Sequence, residues 1–265
     1  MKNRLFFFVL LIEVAGCCKP SETIYRPFGK IRMEFSHTVG GRPLLTDTLL
    51  YTTATGHPYM VADLQYFISD IRLYHDGGKT LQLTSDSGIH YIDGRIPGSM
   101  QWSLKDGIPP GKYDSLVFTF GINAAKNRSN RFPDPPERDM AWPDILGGGY
   151  HYMKMNRMYR SSAGSVLKPF MFHLGIGQVY SSTLPDPDSI TAYVQNFFPV
   201  TLKTPVVITG GKVQGLQCIM QVDRWFDGIE TFDFDNYPGG IMQYQEGMHR
   251  ACVNGTGVFE GEVIR

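Results

Sequence analysis

The apolar patterning of this chain predicts an all-β fold: a single antiparallel β-sandwich-like domain with long loops and at most short helices. Three observations carry that expectation. Ten or so short segments alternate apolar with polar residues or run apolar throughout, as half-buried and fully buried strands do. Glycine (29 residues) and proline (17) are spread along the chain and punctuate those segments with turns. Hydrophobic residues make up 42% and aromatics 13% of 265 residues, enough for the core of one large β-domain.

The first element is not part of that domain. Lys2 and Arg4 form a basic start, and Leu5 to Ile12 ("LFFFVLLI") is an apolar run too short to span a bilayer. It ends in "VAGC", which resembles the lipobox of bacterial lipoproteins, whose cysteine becomes the acylated N-terminus. Residues 1–16 are therefore expected to be a lipoprotein signal peptide, Cys17 the lipidation site, residues 17–27 a lipidated tether and residues 28–265 the β-domain. The expected location is the bacterial cell envelope, lipid-anchored to a membrane and facing the periplasm or the cell exterior. Multiple acyl chains hold a protein stably where one chain binds marginally. No later segment is long and apolar enough for a transmembrane helix.

Strands follow. In "GKIRMEFSH" the residues Ile31, Met33, Phe35 and His37 share one face, opposite Arg32, Glu34 and Ser36. "LQYFISDIRLY" (64–74) is apolar on both faces and predicts a central strand. Further strands are expected at "KTLQLTS", "IHYID", "KYDSLVFTFGI", "GYHYMKM", "LKPFMFHLG", "YVQNFFPVTL", "PVVITGG", "LQCIMQV" and "GVFEGEVI", with a short helix in "IMQVDRWFDG". Two polar loops interrupt them: residues 123–148, which carry Trp142, and residues 181–189. Loops this long in a compact domain are often functional.

Composition narrows the function. Formal charge is zero, and removing residues 1–16 takes away Lys2, Arg4 and Glu13, leaving 23 basic against 24 acidic residues. Without a basic stripe, nucleic acid is not an expected partner. There is no GxSxG, HExxH, P-loop or GxGxxG motif in its proper context, and no nucleophile–base pair, so catalysis is not expected. Asp233 and Asp235 ("FDFDN"), like Asp186 and Asp188 ("PDPDS"), each resemble half a calcium site without EF-hand spacing. Setting aside Cys17 and its neighbour Cys18, Cys218 and Cys252 remain in an exported domain, and a disulfide between them is the economical expectation. It would contribute about 3–4 kcal/mol by loop-closure entropy. Two buried thiols or a metal-binding pair are the alternatives.

Histidines fall in strongly β-patterned segments. His37 continues the inward face of its strand, His173 shares a face with Met171, and His151 shares one with Met153 and Met155. Imidazole with thioether is a ligand set that favours copper, above all Cu(I), over calcium or magnesium. Methionine on a strand face also serves as core filler.

Four segments, in order, resemble the MbnP-like family of exported copper-binding proteins, which are associated with methanobactin systems and include bacterial lipoproteins. They are "LQYFISDIRLYHDGG", "GKYDSLVFTFGINAAKN", the stretch "RDMAWPDILGGGYHYMKMNR", and "FMFHLG". They lie between residues 64 and 175, and the resemblance is taken to reach from about residue 28 to 175. The resemblance implies a β-domain that binds or handles copper through histidines near a loop tryptophan. His37 and His173 are then metal ligands, with His151 a weaker third. The resemblance also makes Trp142 a candidate for oxidation to kynurenine by a partner di-haem enzyme of the cytochrome c peroxidase class. Here Trp142 is preceded by Ala141 and followed by Pro143 and Asp144, and the family's second tryptophan is absent. Family leucines at the positions of Met153 and Met155 imply packing there, with the metal near Trp142, His37 and His173. The alternative is an envelope interaction module that binds a protein or glycan through Trp225, Phe232, Tyr237 and Tyr244.

Overall fold

The structure is a computed structural model that describes residues 27–75 and 77–264. The expected signal peptide, the acylated Cys17 and nearly all of the tether lie outside the described residues. In chain order the strands are β1 (Lys30–Val39), β2 (Arg42–Pro43), β3 (Tyr51–Thr52), β4 (Pro58–His75), β5 (Lys79–Gln82) and β6 (Ile89–Asp93). They continue with β7 (Gln101–Ser103), β8 (Gly111–Tyr113), β9 (Ser115–Phe120), β10 (Met153–Arg160), β11 (Leu167–Leu174) and β12 (Gly177–Tyr180). The last are β13 (Ile190–Val194), β14 (Phe198–Leu202), β15 (Val206–Ile208), β16 (Val213–Gln221) and, after helix α1 (Gln245–Gly255), β17 (Phe259–Ile264).

Two sheets face each other. The larger has eight strands, ordered β11-β10-β4-β9-β14, with β3, β5 and β6 also paired to β4. The smaller is β17-β16-β1-β2 with β7 beside β1. The apolar run at 64–74 is the middle of the 18-residue β4, the central strand as expected. Ladders are antiparallel except β1–β16, which is parallel. A parallel pair needs a long crossover, and here nearly the whole domain lies between the two strands.

The core lies between the sheets. Ile31, Met33 and Phe35 of β1 are buried, as are Leu216, Cys218 and Met220 of β16. Opposite them stand Leu64 and Tyr66 of β4, Met153 and Met155 of β10, and Phe172 and Leu174 of β11, all buried. The alternation in "HYMKM" is thus packing on its methionine side. Tyr66 reaches across to Phe259 of the smaller sheet, ring centroids 6.1 Å apart. On the other face of β4, Phe67 stacks on Phe132 at 5.5 Å and meets Tyr150 edge-on at 6.1 Å. The long loop therefore covers the outer face of the larger sheet.

Cys218 and Cys252 are both free, which corrects the expected disulfide. Cys218 is sealed in the inter-sheet core, while Cys252 sits on α1 and its Sγ donates to the Asn196 carbonyl at 3.2 Å. Burial pushes both thiols up, Cys252 to about 12, so neither is reactive near neutral pH. The short helix expected near Trp225 is one 3₁₀ turn, Val222–Trp225.

Candidate metal centre

The long loop is tied down by residues of the "GINAAKN" segment. Asp70 of β4, at φ 55°, accepts from Asn123 Nδ2 and Lys126 Nζ, both at 2.5 Å. Asn127 Oδ1 accepts the Tyr150 N–H at 2.9 Å. Between these anchors the chain closes on itself, since the Trp142 N–H donates to Gly149 O at 2.9 Å and the indole Nε1–H to Leu146 O at 3.1 Å. Gly147, Gly148 and Gly149 have φ of 113°, 67° and 80°. Side chains rarely adopt that region, which explains the triple glycine.

The closure seats Trp142 (2% exposed) beside His151, ring centroids 4.6 Å apart, and His151 against His173 at 5.1 Å and 84°. Gly175 makes room for the indole: a Cβ there would lie 2.5 Å from Trp142 Cε3. His151 and His173 are both buried. His151 Nδ1 lies 3.0 Å from the Met140 carbonyl, which can only accept, so Nδ1 carries the hydrogen and Nε2 the lone pair. His173 Nε2 lies 2.9 Å from Asn156 Oδ1, another acceptor, so its lone pair is on Nδ1. That Nδ1 is buried with no hydrogen-bond partner. Two neighbouring imidazoles thus each have one nitrogen anchored by an oxygen, and Nδ1 of His173 is left bare. Ligating histidines are oriented in this way.

Electrostatics keep both rings neutral. Burial, opposed by the Met140 carbonyl and aided by Lys154, lowers His151 to about 4. Burial, His151 and Lys154 lower His173 to about 3. A metal ion has no proton to displace from either ring at neutral pH.

His37 is not part of this arrangement. Its Nε2 lies 3.2 Å from Tyr66 Oη, and Tyr66 faces the smaller sheet. His173 aligns in register with Lys154 and Gln65, whose side chains occupy the opposite face from Tyr66. Strand alternation therefore puts His37 and His173 on opposite faces of the larger sheet. The weaker expectation, His151, is the residue that adjoins His173 and Trp142. Its signal was the stretch 149–151 leading into β10, which carries the ring back beneath the loop. Of the aromatics expected to line an interaction site, Trp225, Phe232 and Tyr237 are buried, and only Tyr244 is exposed (38%).

The family model for MbnP matches residues 28–243. Among solved structures, MbnP from Methylosinus trichosporium is similar, with a TM-score of 0.52, 16% sequence identity, and coverage of 77% of this chain and 78% of that one. The search of curated proteins returned no match. With its two-sheet fold and a family match over most of its length, the chain belongs to the MbnP family.

Proposed function

We propose that this protein binds copper outside the cytoplasm, as Cu(I), through His151 Nε2 and His173 Nδ1 beneath Trp142. The observation that carries the reading is the buried, partnerless Nδ1 of His173 next to a second neutral imidazole. Two uncharged nitrogen donors in a dry setting suit a soft monovalent ion better than a hard divalent one. Family membership supports a copper-related, extracytoplasmic role in coarse form. Among the described residues no helix is long and apolar enough to cross a membrane, and the lipid anchor at Cys17 belongs to the same proposal.

Trp142 closes the pair on one side. As an indole it adds no lone pair, because the nitrogen's pair belongs to the aromatic π system, and its N–H is given to Leu146 O. Oxidation of Trp142 by a di-haem partner would change its donor set, and this forms the second part of the reading. Peptide mass spectrometry of protein from its native cells tests that part: an unmodified Trp142 there would refute it.

The test of the first part is a Cu(I) titration against a chromophoric chelator. One equivalent is expected to bind the wild type, with affinity falling at least about 100-fold in His173→Ala and His151→Ala but not in His37→Ala. Equal binding by all four proteins would sink the assignment.

A further inference from the structure

His57 lies in the turn between β3 and β4, with a side chain only 2% exposed. Its ring stacks on Phe234 at 5.7 Å and meets Tyr159 edge-on at 5.7 Å. Nδ1 is 3.1 Å from the Arg160 carbonyl, and Nε2 is 2.9 Å from Asp233 Oδ1 and 3.9 Å from Asp235 Oδ2. All three neighbours are acceptors only. The carbonyl takes the Nδ1 hydrogen, and Nε2 faces a carboxylate oxygen. A ring nitrogen and a carboxylate oxygen stay that close only when a cation joins them, either a proton or a metal ion.

Several features favour the metal. Donor atoms of His57, Asp233 and Asp235 all lie within 4.8 Å of one another. With bonds of about 2.1 Å, separations of 2.9 and 3.9 Å subtend roughly 90° and 135° at a common ion, open angles that leave further positions for water. The Nδ1–carbonyl contact orients the ring as in ligating histidines. Asp235 is aligned by Tyr159 Oη at 3.1 Å and Ser162 Oγ at 2.7 Å. Asp233 has a 38% exposed side chain, so an ion can enter from solvent. Two carboxylates and a neutral imidazole balance a divalent charge, and one nitrogen with two oxygens suits a borderline first-row ion rather than Cu(I).

We propose that His57, Asp233 and Asp235 form a second metal site for a divalent first-row cation of the zinc class. The ion ties together the β3–β4 turn, the β10–β11 hairpin and the segment around Phe234. The site is independent of the copper reading: the length of β10, about 25 Å, separates the two.

The test is calorimetry and thermal denaturation of chelator-stripped protein titrated with ZnCl₂. One equivalent is expected to bind the wild type and raise its Tm by several degrees. His173→Ala should behave like the wild type, and Asp233→Asn should bind at least about 10-fold more weakly. Asp233→Asn keeps the side-chain oxygen that accepts the Asp235 N–H, so this variant is expected to fold. Absence of zinc binding, or binding undiminished by Asp233→Asn, would overturn the proposal. Binding lost in His173→Ala would also overturn it, by placing zinc at the copper pair. A ring of His57 protonated on both nitrogens, seen by NMR with zinc present, would show that the joining cation is a proton.

Discussion

Arg157 shows how a single side chain can run against the rule that buried charges are paired. It lies on the inward face of β10 at 2% exposure, and none of its three guanidinium nitrogens has a hydrogen-bond partner. Five rings surround it instead, with the guanidinium carbon 3.8 Å from the Phe226 centroid, 4.0 Å from Phe234 and 4.8 Å from Phe170. Phe172 and Tyr59 complete the cage at 5.1 and 5.8 Å. Each cation–π contact contributes about 0.5–2 kcal/mol, but a desolvated ion without hydrogen bonds costs several. Burial holds the Arg157 guanidinium well below its ordinary pKa in spite of the rings, so Arg157→Met is expected to stabilise the fold by about 1–4 kcal/mol, read as a higher urea midpoint at unchanged slope. A lower midpoint would mean that the aromatic faces more than repay the buried charge. The periodicity of "MKMNRMYR" does place Arg157 on the inward face with Met153 and Met155, past a register shift at Asn156. The rings that receive it come from β4, β11 and the 226–234 segment, which no local pattern connects.

At the scale of elements, the strands were legible and the loop over the outer face was only half so. Alternation in β1 and β10 and the doubly apolar stretch of β4 follow from the two-residue period, which is a local property. Helix α1 carries little signal in the sequence because its buried positions include Gly247, Met248, Ala251, Asn254 and Gly255. These recur at helical spacing, but small and polar residues give little hydrophobic contrast. The loop's anchors, Asn123, Lys126 and Asn127, were visible as a motif, whereas their partners Asp70 and Tyr150 needed the fold. Gly175, the last residue of "FMFHLG", joins β11 to the loop through the space it leaves for Trp142. Gly175→Ala is therefore expected to displace the indole, destabilise the protein by about 1–3 kcal/mol and weaken copper binding. An alanine variant with unchanged stability and copper affinity would show that the indole has room to shift.

For the whole molecule, three neutral histidines, two of them buried and His37 half-buried, make stability depend on pH. His37 and His151 are lowered to about 4 and His173 to about 3, each chiefly by burial. Between those values and the ordinary 6.5 the unfolded chain binds the protons that the folded chain refuses. Stability is then fully present above about pH 6.5 and is lost as pH falls towards 4, by up to about 1.4 kcal/mol per pH unit for each histidine. A Tm measured from pH 8 to pH 4 should be flat at first and then fall, and His37→Gln should flatten the fall. A Tm that holds steady down to pH 4 would contradict buried neutral rings. Because His151 and His173 stay neutral, copper affinity should change little between pH 5 and 8, unlike that of exposed histidine sites.

The sequence by itself determined the class of fold, the inward faces of the main strands and the tryptophan, glycine and histidine segments from which the proposed metal centre would be built. Those are properties of residue type and of spacing along one chain, and strand periodicity carries them. Only the tertiary structure decided which of these residues meet. A difference of one residue in strand parity, read against a second strand, puts His37 between the sheets and His173 outside them. Loop closure at Gly149 brings Trp142 and His151 onto His173. Tertiary packing likewise kept Cys218 apart from Cys252 and joined His57 to Asp233 across more than half of the chain. Contacts between segments far apart in sequence depend on sheet order and register, and neither is written in any local stretch.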